Sequence, residues 1–435
     1  MTALPDKYLV DLSKDSLQYA FDGKFVGSGV RPAAVAKEEI ESKYKEILQN
    51  TSSNGCVVYI HIPFCQQQCS FCGFAGSRAT KEEGRLYINA LIKEIELISQ
   101  YQYPAKTPVQ AIYLGGGTPS AIEPEYLNIL VENCRKYFNL ANDCEITLEG
   151  RTHDFEGERG RELANSGFSR FSIGVQTFDT KIRKTLGRVS EKEKVIEILA
   201  DLASYNKAAV IIDLMYALPA QSVEMFIEDL KMAASAKIDG LDTYRLKVFE
   251  DSRLKKAILT GSIAQTPELS MQGAFYKAAY DWLIYNQWYQ ISLNHYARTH
   301  RERNIYNSWV KKKAGCIAIG AGAGGSIDGW SYYRAPVAQK YIKSIEAGNF
   351  SPDSLSAPSE GRLLANKVSE QIENGYLNVS ELFAIDKNFS EKLSPYLENW
   401  SKANLIKLND NYANLTTAGK FWGVNITQAI INILK

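Results

Sequence analysis

Between residues 56 and 250 the chain alternates two hydrophobic patterns. Short β-rich runs, "CVVYIHI" (56–62), "VQAIYLGG" (109–116), "CEITLEG" (144–150), "RFSIGVQ" (170–176), "AAVIIDLMYA" (208–217) and "LDTYRLKVF" (241–249), predict strands. Longer stretches between them, such as "RLYINALIKEIELISQY", "PEYLNILVENCRKYF" and "EKVIEILADLASY", carry apolar residues at helical spacing. Six strands separated by helix-length segments predict an α/β protein of parallel β/α units, a partial (β/α)6 barrel. In β/α barrels chemistry gathers at the C-terminal strand ends. The unusual residues of this chain fall there. A cysteine cluster follows strand one, "GGGTPS" ends strand two, Glu149 ends strand three, Gln176 ends strand four and Asp213 lies in strand five.

The flanks read differently. Residues 1–50 form an N-terminal leader with a polar helix candidate, "KEEIESKYKEIL", packed onto something else. The barrel core spans 51–250. Beyond it the β/α rhythm fades into an aromatic-rich extension, 251–350, that leads to "CIAIGAGAGGSIDGW". The Pro- and Ser-rich "SPDSLSAPSEG" at 351–361 marks a boundary. Residues 362–435 predict a small C-terminal winged-helix-like α+β domain, with a hairpin around Asn409 to Asn411.

Composition narrows the partners. With 50 basic and 49 acidic residues among 435, the net charge is +1, so no bulk field attracts nucleic acid or anionic lipid. A winged-helix DNA reader would carry a basic recognition helix, and none is present, so the C-terminal domain reads as a cover. No secretory signal is visible at the N-terminus, and no apolar run approaches the ~20 residues that span a bilayer. A cytoplasmic enzyme without membrane insertion is expected. Of seven cysteines, Cys56, Cys134, Cys144 and Cys316 are scattered and read as small buried apolar residues.

Only "HIPFCQQQCSFCGF" is organised, with Cys65, Cys69 and Cys72 in one short stretch. A structural zinc site is closed by four ligands, and His61 sits in the preceding strand. A four-iron cluster held by three thiolates leaves one iron open to a small molecule. "GGGTPS" reads as a tight turn or as bare backbone for close ligand approach. It is no Walker A loop, because no Gly-Lys pair precedes Ser or Thr. "GAGAGG" (320–325) matches G-x-G-x-x-G, but the following "SIDGWSYYRAP" is no helix, against a dinucleotide fold.

The cysteine spacing, with Phe71 directly before the third thiol, resembles the signature of the radical S-adenosylmethionine (radical SAM) enzymes. The resemblance implies a 4Fe-4S cluster on Cys65, Cys69 and Cys72. Its open iron would chelate S-adenosylmethionine and its electron would yield a 5′-deoxyadenosyl radical. "YIHIPFC", "GGGTPS", "TLEG", "FSIGVQTFDTKIRKTLGR" and "IDLMYALP" are similar to successive segments of the branch holding the oxygen-independent coproporphyrinogen oxidases. In that branch the matching positions bind S-adenosylmethionine. Phe71 would pack on the adenine, Gly116, Gly117 and Thr118 would bond the amino group, and Glu149 would take the ribose hydroxyls. Arg188 would take the carboxylate, Gln176 and Asp213 the polar edges, and Tyr59 would lie beside the cluster or a second ligand. Gly322, in "GAGAGG", would allow close approach of a second S-adenosylmethionine.

Three groups in the branch compete. Coproporphyrinogen oxidases carry a further cysteine where this chain has Phe74. Heme chaperones read Asn-Pro after the strand-three glutamate, where this chain has Gly150-Arg151. The length, the leader, "CGF" and "GAGAGG" resemble the anaerobic heme-degrading methyltransferases (anaerobilin synthases). That resemblance implies heme or a related tetrapyrrole as substrate and iron acquisition as context. It also implies an electron donor such as flavodoxin or ferredoxin. The segment around His295, Tyr296 and Arg298 reads equally as core plus surface or as lining for a flat, acidic substrate. His295 and His300 are the histidines expected to face heme, since His61 is fixed near the cluster.

Overall fold

A computed structural model of the chain describes residues 6–25, 33–52, 54–73, 76–359, 361–385 and 387–433. Phe74, on which the choice within the branch leaned, lies outside them.

The parallel part is built from β1 (Cys56–Ile62), β2 (Val109–Gly116), β3 (Leu140–Arg151), β4 (Arg170–Gln176), β5 (Ala209–Tyr216) and β6 (Gly240–Arg245). Each pairs in parallel with the next in chain order. Every residue of β4 is buried, as befits a central strand covered on both faces. The helices between strands bury one stripe each. In Lys81–Ile98, Tyr87, Ile88, Leu91, Ile95 and Ile98 face the sheet, and a Thr80–Glu83 capping box starts the helix. β6 ends at Arg245, short of the expected Phe249. Leu246 makes a last bond to Tyr216 and then turns into a separate apolar cluster with Leu254 and Ile258.

A six-stranded open barrel leaves two edges of unpaired backbone groups. The extension beyond 250 covers both. β7 (Tyr289–Ser292) and β8 (His295–Ala297) add antiparallel strands at β6. The chain then crosses over to place β9 (Gly315–Ile319) parallel to β1, followed by antiparallel β10 (Gly324–Ile327), β11 (Trp330–Tyr333) and β12 (Ser354–Ser356). The result is one twelve-stranded sheet. "GAGAGG" is therefore a strand–turn–strand element, not the strand–turn–helix of a dinucleotide site.

The C-terminal unit holds a three-stranded antiparallel sheet of β13 (Tyr376–Asn378), β14 (Ile406–Leu408) and β15 (Tyr412–Leu415), with β15 central. Its wing turns at Asn409, whose side chain accepts from Tyr412 N at 2.8 Å. The leader clips two regions together. Tyr8 and Ser16 carbonyls accept from the indoles of Trp400 and Trp422, each at 2.8 Å. Further along, Val35 bonds Leu355 of β12, and Tyr44 packs edge-on against Tyr332 at 5.0 Å.

Candidate active site

β1 delivers its last residues into the loop that carries the three thiols. Cys65 and Cys69 are buried and Cys72 is half-buried. The loop is tied from several sides. Thr118 N donates to Phe64 O at 2.7 Å, Cys65 N to Ser77 O at 2.9 Å, and Ser70 N to Leu186 O at 3.3 Å. Arg151, at the end of β3, donates to the Gln67 carbonyl. Cys65 Sγ lies 3.4 Å from Thr118 Oγ1. Among the described residues no three His, Cys, Asp or Glu side chains stand close enough to share one ion. A cuboidal cluster takes one thiolate per iron, so its ligands belong apart.

Around this loop the structure gathers most of the expected S-adenosylmethionine residues. The backbone of Gly117 lies so near Phe64 that an added Cβ would meet its carbonyl oxygen at 2.4 Å. His61 sits between the two glycine turns, because added Cβ atoms on Gly116 and Gly322 would meet its ring at 2.7 and 3.3 Å. Its Nδ1 is 2.9 Å from Tyr59 OH, and burial lowers its basicity. Tyr87 OH ties β1 to the second turn, donating to His61 O at 2.9 Å and accepting from Ala321 N at 2.8 Å.

The polar groups are held in a dry environment. Burial and then the neighbouring Asp213 push Glu149 up to about 8, against the backbone N–H of Gly116 and the charge of Arg188. Burial and Asp242 push Asp213 up to about 7. Gln176 takes a left-handed φ of 73° after a bulge in β4. Gly174 makes room: a Cβ there would meet Gln176 Nε2 at 2.7 Å and Arg188 Nη2 at 3.2 Å. Arg188 lies 5.8 Å from the half-buried Phe71 ring, and its Nε and Nη1 are buried without a hydrogen-bond partner. Orphaned N–H donors are expensive to bury. They fit a ligand carboxylate, and two carboxyls of raised pKa fit a ligand's hydroxyls, amine or sulfonium. The residues therefore suit a cluster with S-adenosylmethionine on its open iron.

The substrate-facing set does not assemble here. His295 is 1 % exposed, with Nδ1 2.9 Å from Asp242 Oδ2 and Nε2 2.8 Å from Glu302 Oε1. Burial opposes its charge, but the two carboxylates outweigh it and raise the imidazole to about 9, leaving neither nitrogen for heme. Tyr296 is buried beside Gln290. Arg298 and His300 follow Ala297, which pairs with Gly240 at the start of β6. They therefore lie at the N-terminal end of the sheet, opposite the cluster loop. Arg298 is spent on the Ala234 carbonyl. Sequence reasoning missed Arg151 and Gly174, although each sits two residues from a chosen site residue, and Arg151 shares a strand face with Glu149. It also missed the buried Arg170–Glu302 pair, 2.9 Å, that supports His295, for which no sequence signal exists.

Comparison with known proteins agrees with this geometry. The Radical SAM superfamily profile matches residues 59–233. Anaerobilin synthase of Escherichia coli O157:H7 is 36% identical over 409 residues, covering 92% of this chain and 89% of that protein. The chain belongs to the radical SAM superfamily. A heme chaperone, HemW of Lactococcus lactis, is 28% identical over 354 residues, covering 80% of this chain and 86% of that one. The solved structure of coproporphyrinogen III oxidase (HemN) from Escherichia coli superposes with a TM-score of 0.77 at 20% identity, covering 91% and 94% of the two chains. This radical SAM protein thus shares a fold across barrel, extension and C-terminal unit. No helix among its described residues is long and apolar enough to cross a membrane.

Proposed function

We propose that this chain is an anaerobic heme-degrading radical SAM methyltransferase. It would use two molecules of S-adenosylmethionine, one as radical source and one as methyl donor, to open the porphyrin and release iron. The observation that carries this reading is the 36% identity to anaerobilin synthase, which runs over 92% of the chain rather than the barrel alone. Phe74, where coproporphyrinogen oxidases have a cysteine, weighs on the same side. A cluster with S-adenosylmethionine supplies one-electron chemistry when bound. The chain's part is to hold and orient. Cys65, Cys69 and Cys72 would ligate the cluster. Arg188 offers two unpaired N–H groups to a carboxylate, Glu149 and Asp213 would hydrogen-bond hydroxyl or amine groups, and Gln176 stands near Arg188 over Gly174. His61 and Tyr59 carry a hydrogen bond between the two glycine turns, where Gly322 would border the second cofactor. The C-terminal unit would cover the substrate cleft.

Reduced, cluster-loaded protein incubated anaerobically with S-adenosylmethionine and heme tests the reading. Loss of heme absorbance together with 5′-deoxyadenosine and S-adenosylhomocysteine is expected. The likeness to HemW keeps a chaperone in view. Tight heme binding without consumption would establish that instead, and carbon dioxide from coproporphyrinogen would establish the decarboxylase.

A further inference from the structure

Two segments flank the cluster loop on its solvent side. Residues 180–189 carry Lys181, Arg183, Lys184 and Arg188 and no acid, and residues 245–259 carry Arg245, Lys247, Arg253, Lys255 and Lys256 against Glu250 and Asp251. Leaving out Arg183 and Arg188, whose guanidiniums are buried, seven basic residues stand against two acidic ones in a chain whose net charge is +1. Both segments touch the loop directly. Ser70 bonds Leu186 O and Thr185 O at 3.3 and 3.2 Å, and Leu254 N donates to Ser70 O at 2.9 Å. Phe249 lies against Gly73. Beneath, Ile182, Leu186, Leu254 and Ile258 pack together with Phe71, so the segments form one rigid rim.

The rim's outer face is exposed. Lys181, Lys184, Lys247, Arg253 and Lys256 point to solvent around apolar side chains left open there: Val189 at 53 %, Phe249 at 38 % and Leu259 at 71 %. Lys184 pairs with Glu191 at 2.9 Å and Lys255 with Glu250 at 3.6 Å. Among the described residues Lys181, Lys247, Arg253 and Lys256 have no carboxylate partner. A small apolar centre beside four unpaired basic side chains, near a loop with exposed Gln66, Gln67 and Gln68, suits a brief encounter steered by charge.

We infer that this rim is the docking surface for a small acidic electron-carrier protein. The inference rests on the reading of the loop as a cluster site. One electron leaves the carrier's reduced flavin or iron–sulfur centre and enters the cluster, so the carrier is oxidised and the cluster reduced by that electron. Such encounters bury little surface and depend on long-range charge, so they weaken steeply with salt.

The test is binding of an acidic flavodoxin to the cluster-loaded protein, with the double variant R253E/K256E, the single variant K181E, and K402E in the C-terminal unit as control. The double variant is expected to weaken binding at least tenfold at low salt and to flatten its salt dependence. K181E should shift both in the same direction, and K402E should change neither. Cluster reduction by dithionite should stay as in wild type while reduction by flavodoxin slows. Unchanged affinity in R253E/K256E overturns the inference. So does an equal loss of reduction by dithionite and by flavodoxin, because the loop rather than docking would then be damaged. A wild-type protein that takes up no cluster on reconstitution fails the underlying reading separately.

Discussion

Arg188 shows how a residue can be arranged for a ligand at the expense of the fold. Its Nε and Nη1 are buried with no partner, and burial lowers its basicity despite the nearby thiols. Replacing it with methionine removes a charge the protein does not neutralise and leaves the stem's packing. R188M is expected to melt no lower than wild type while losing S-adenosylmethionine affinity by about tenfold to a hundredfold, the worth of hydrogen bonds to a charged group. Calorimetric titration and thermal melts on the same cluster-loaded samples check this, and unchanged affinity would remove Arg188 from the ligand site. His295 differs in that each of its nitrogens faces a protein carboxylate, Asp242 at 2.9 Å and Glu302 at 2.8 Å. Its folded value of about 9 lies above the ordinary 6.5, so its contribution is full below 6.5 and is lost as pH rises through 9. Relative to H295Q, wild type should be more stable by about 3 kcal/mol at pH 6, a gap that closes toward pH 10. Glu149 and Asp213 also cost stability as pH rises, which is why the difference between the two proteins, from denaturant unfolding, is the quantity to follow. A gap independent of pH would mean that His295 is not charged in the fold. Sequence could announce Glu149, Gln176 and Asp213 because each sits at or near a strand end within a recognisable segment. It could not announce His295, whose partners come from β6 and from a loop on the far side of β8.

At the scale of elements, the thiol loop and the β2 turn are one unit. Gly117 N donates to Ile62 O at 2.8 Å and Thr118 N to Phe64 O at 2.7 Å, so the loop is held flat on the turn. A methyl group at 117 would press on backbone, 2.4 Å from Phe64 O and 2.8 Å from its carbonyl carbon, and backbone beside Cys65 cannot yield without moving the thiol. G117A should therefore bind less than half the wild-type iron per chain after reconstitution. G23A, with nothing within 4 Å, should bind the same amount as wild type. Equal iron in G117A would separate the turn from cluster assembly. The strands of the barrel were readable because buried parallel strands are continuous apolar runs. The helix Lys81–Ile98 starts four residues before the expected Arg85, at a Thr-x-x-Glu capping box that the sequence displayed. The short strands added beyond β6 and β9 were hidden for a different reason. β7, β8, β10 and β11 are three or four residues long, and hairpins of that length leave too little alternation to separate them from loop.

For the whole molecule, the leader decides how firmly the C-terminal unit sits over the barrel. Residues 6–25 lie across that unit: Val10 exchanges hydrogen bonds with Asn399 at 2.7 and 3.1 Å, Asn425 donates to Gly23 O at 2.7 Å, and Phe21 packs edge-on against Trp422 at 5.5 Å. The same stretch reaches the barrel's outer helix, since an added Cβ on Gly273 would meet Leu17 O at 2.7 Å. The leader thus bonds the unit to the layer around β5 and β6, while β1 to β6 make their own parallel ladder without it. Removing residues 1–25 exposes the faces of Trp400 and Trp422 and leaves both indole N–H groups without their carbonyls. Local opening should become cheaper in helices Lys387–Lys402 and Gly423–Ile433 than in the parallel sheet. Amide exchange is expected to accelerate at least tenfold in those two helices and to stay within experimental scatter in β1 to β6. Because residues 6–25 lie about forty to sixty residues before the thiols yet bind the last helices of the chain, no local pattern could reveal that pairing. Uniform acceleration across sheet and helices would show instead that the leader stabilises the protein as one cooperative block.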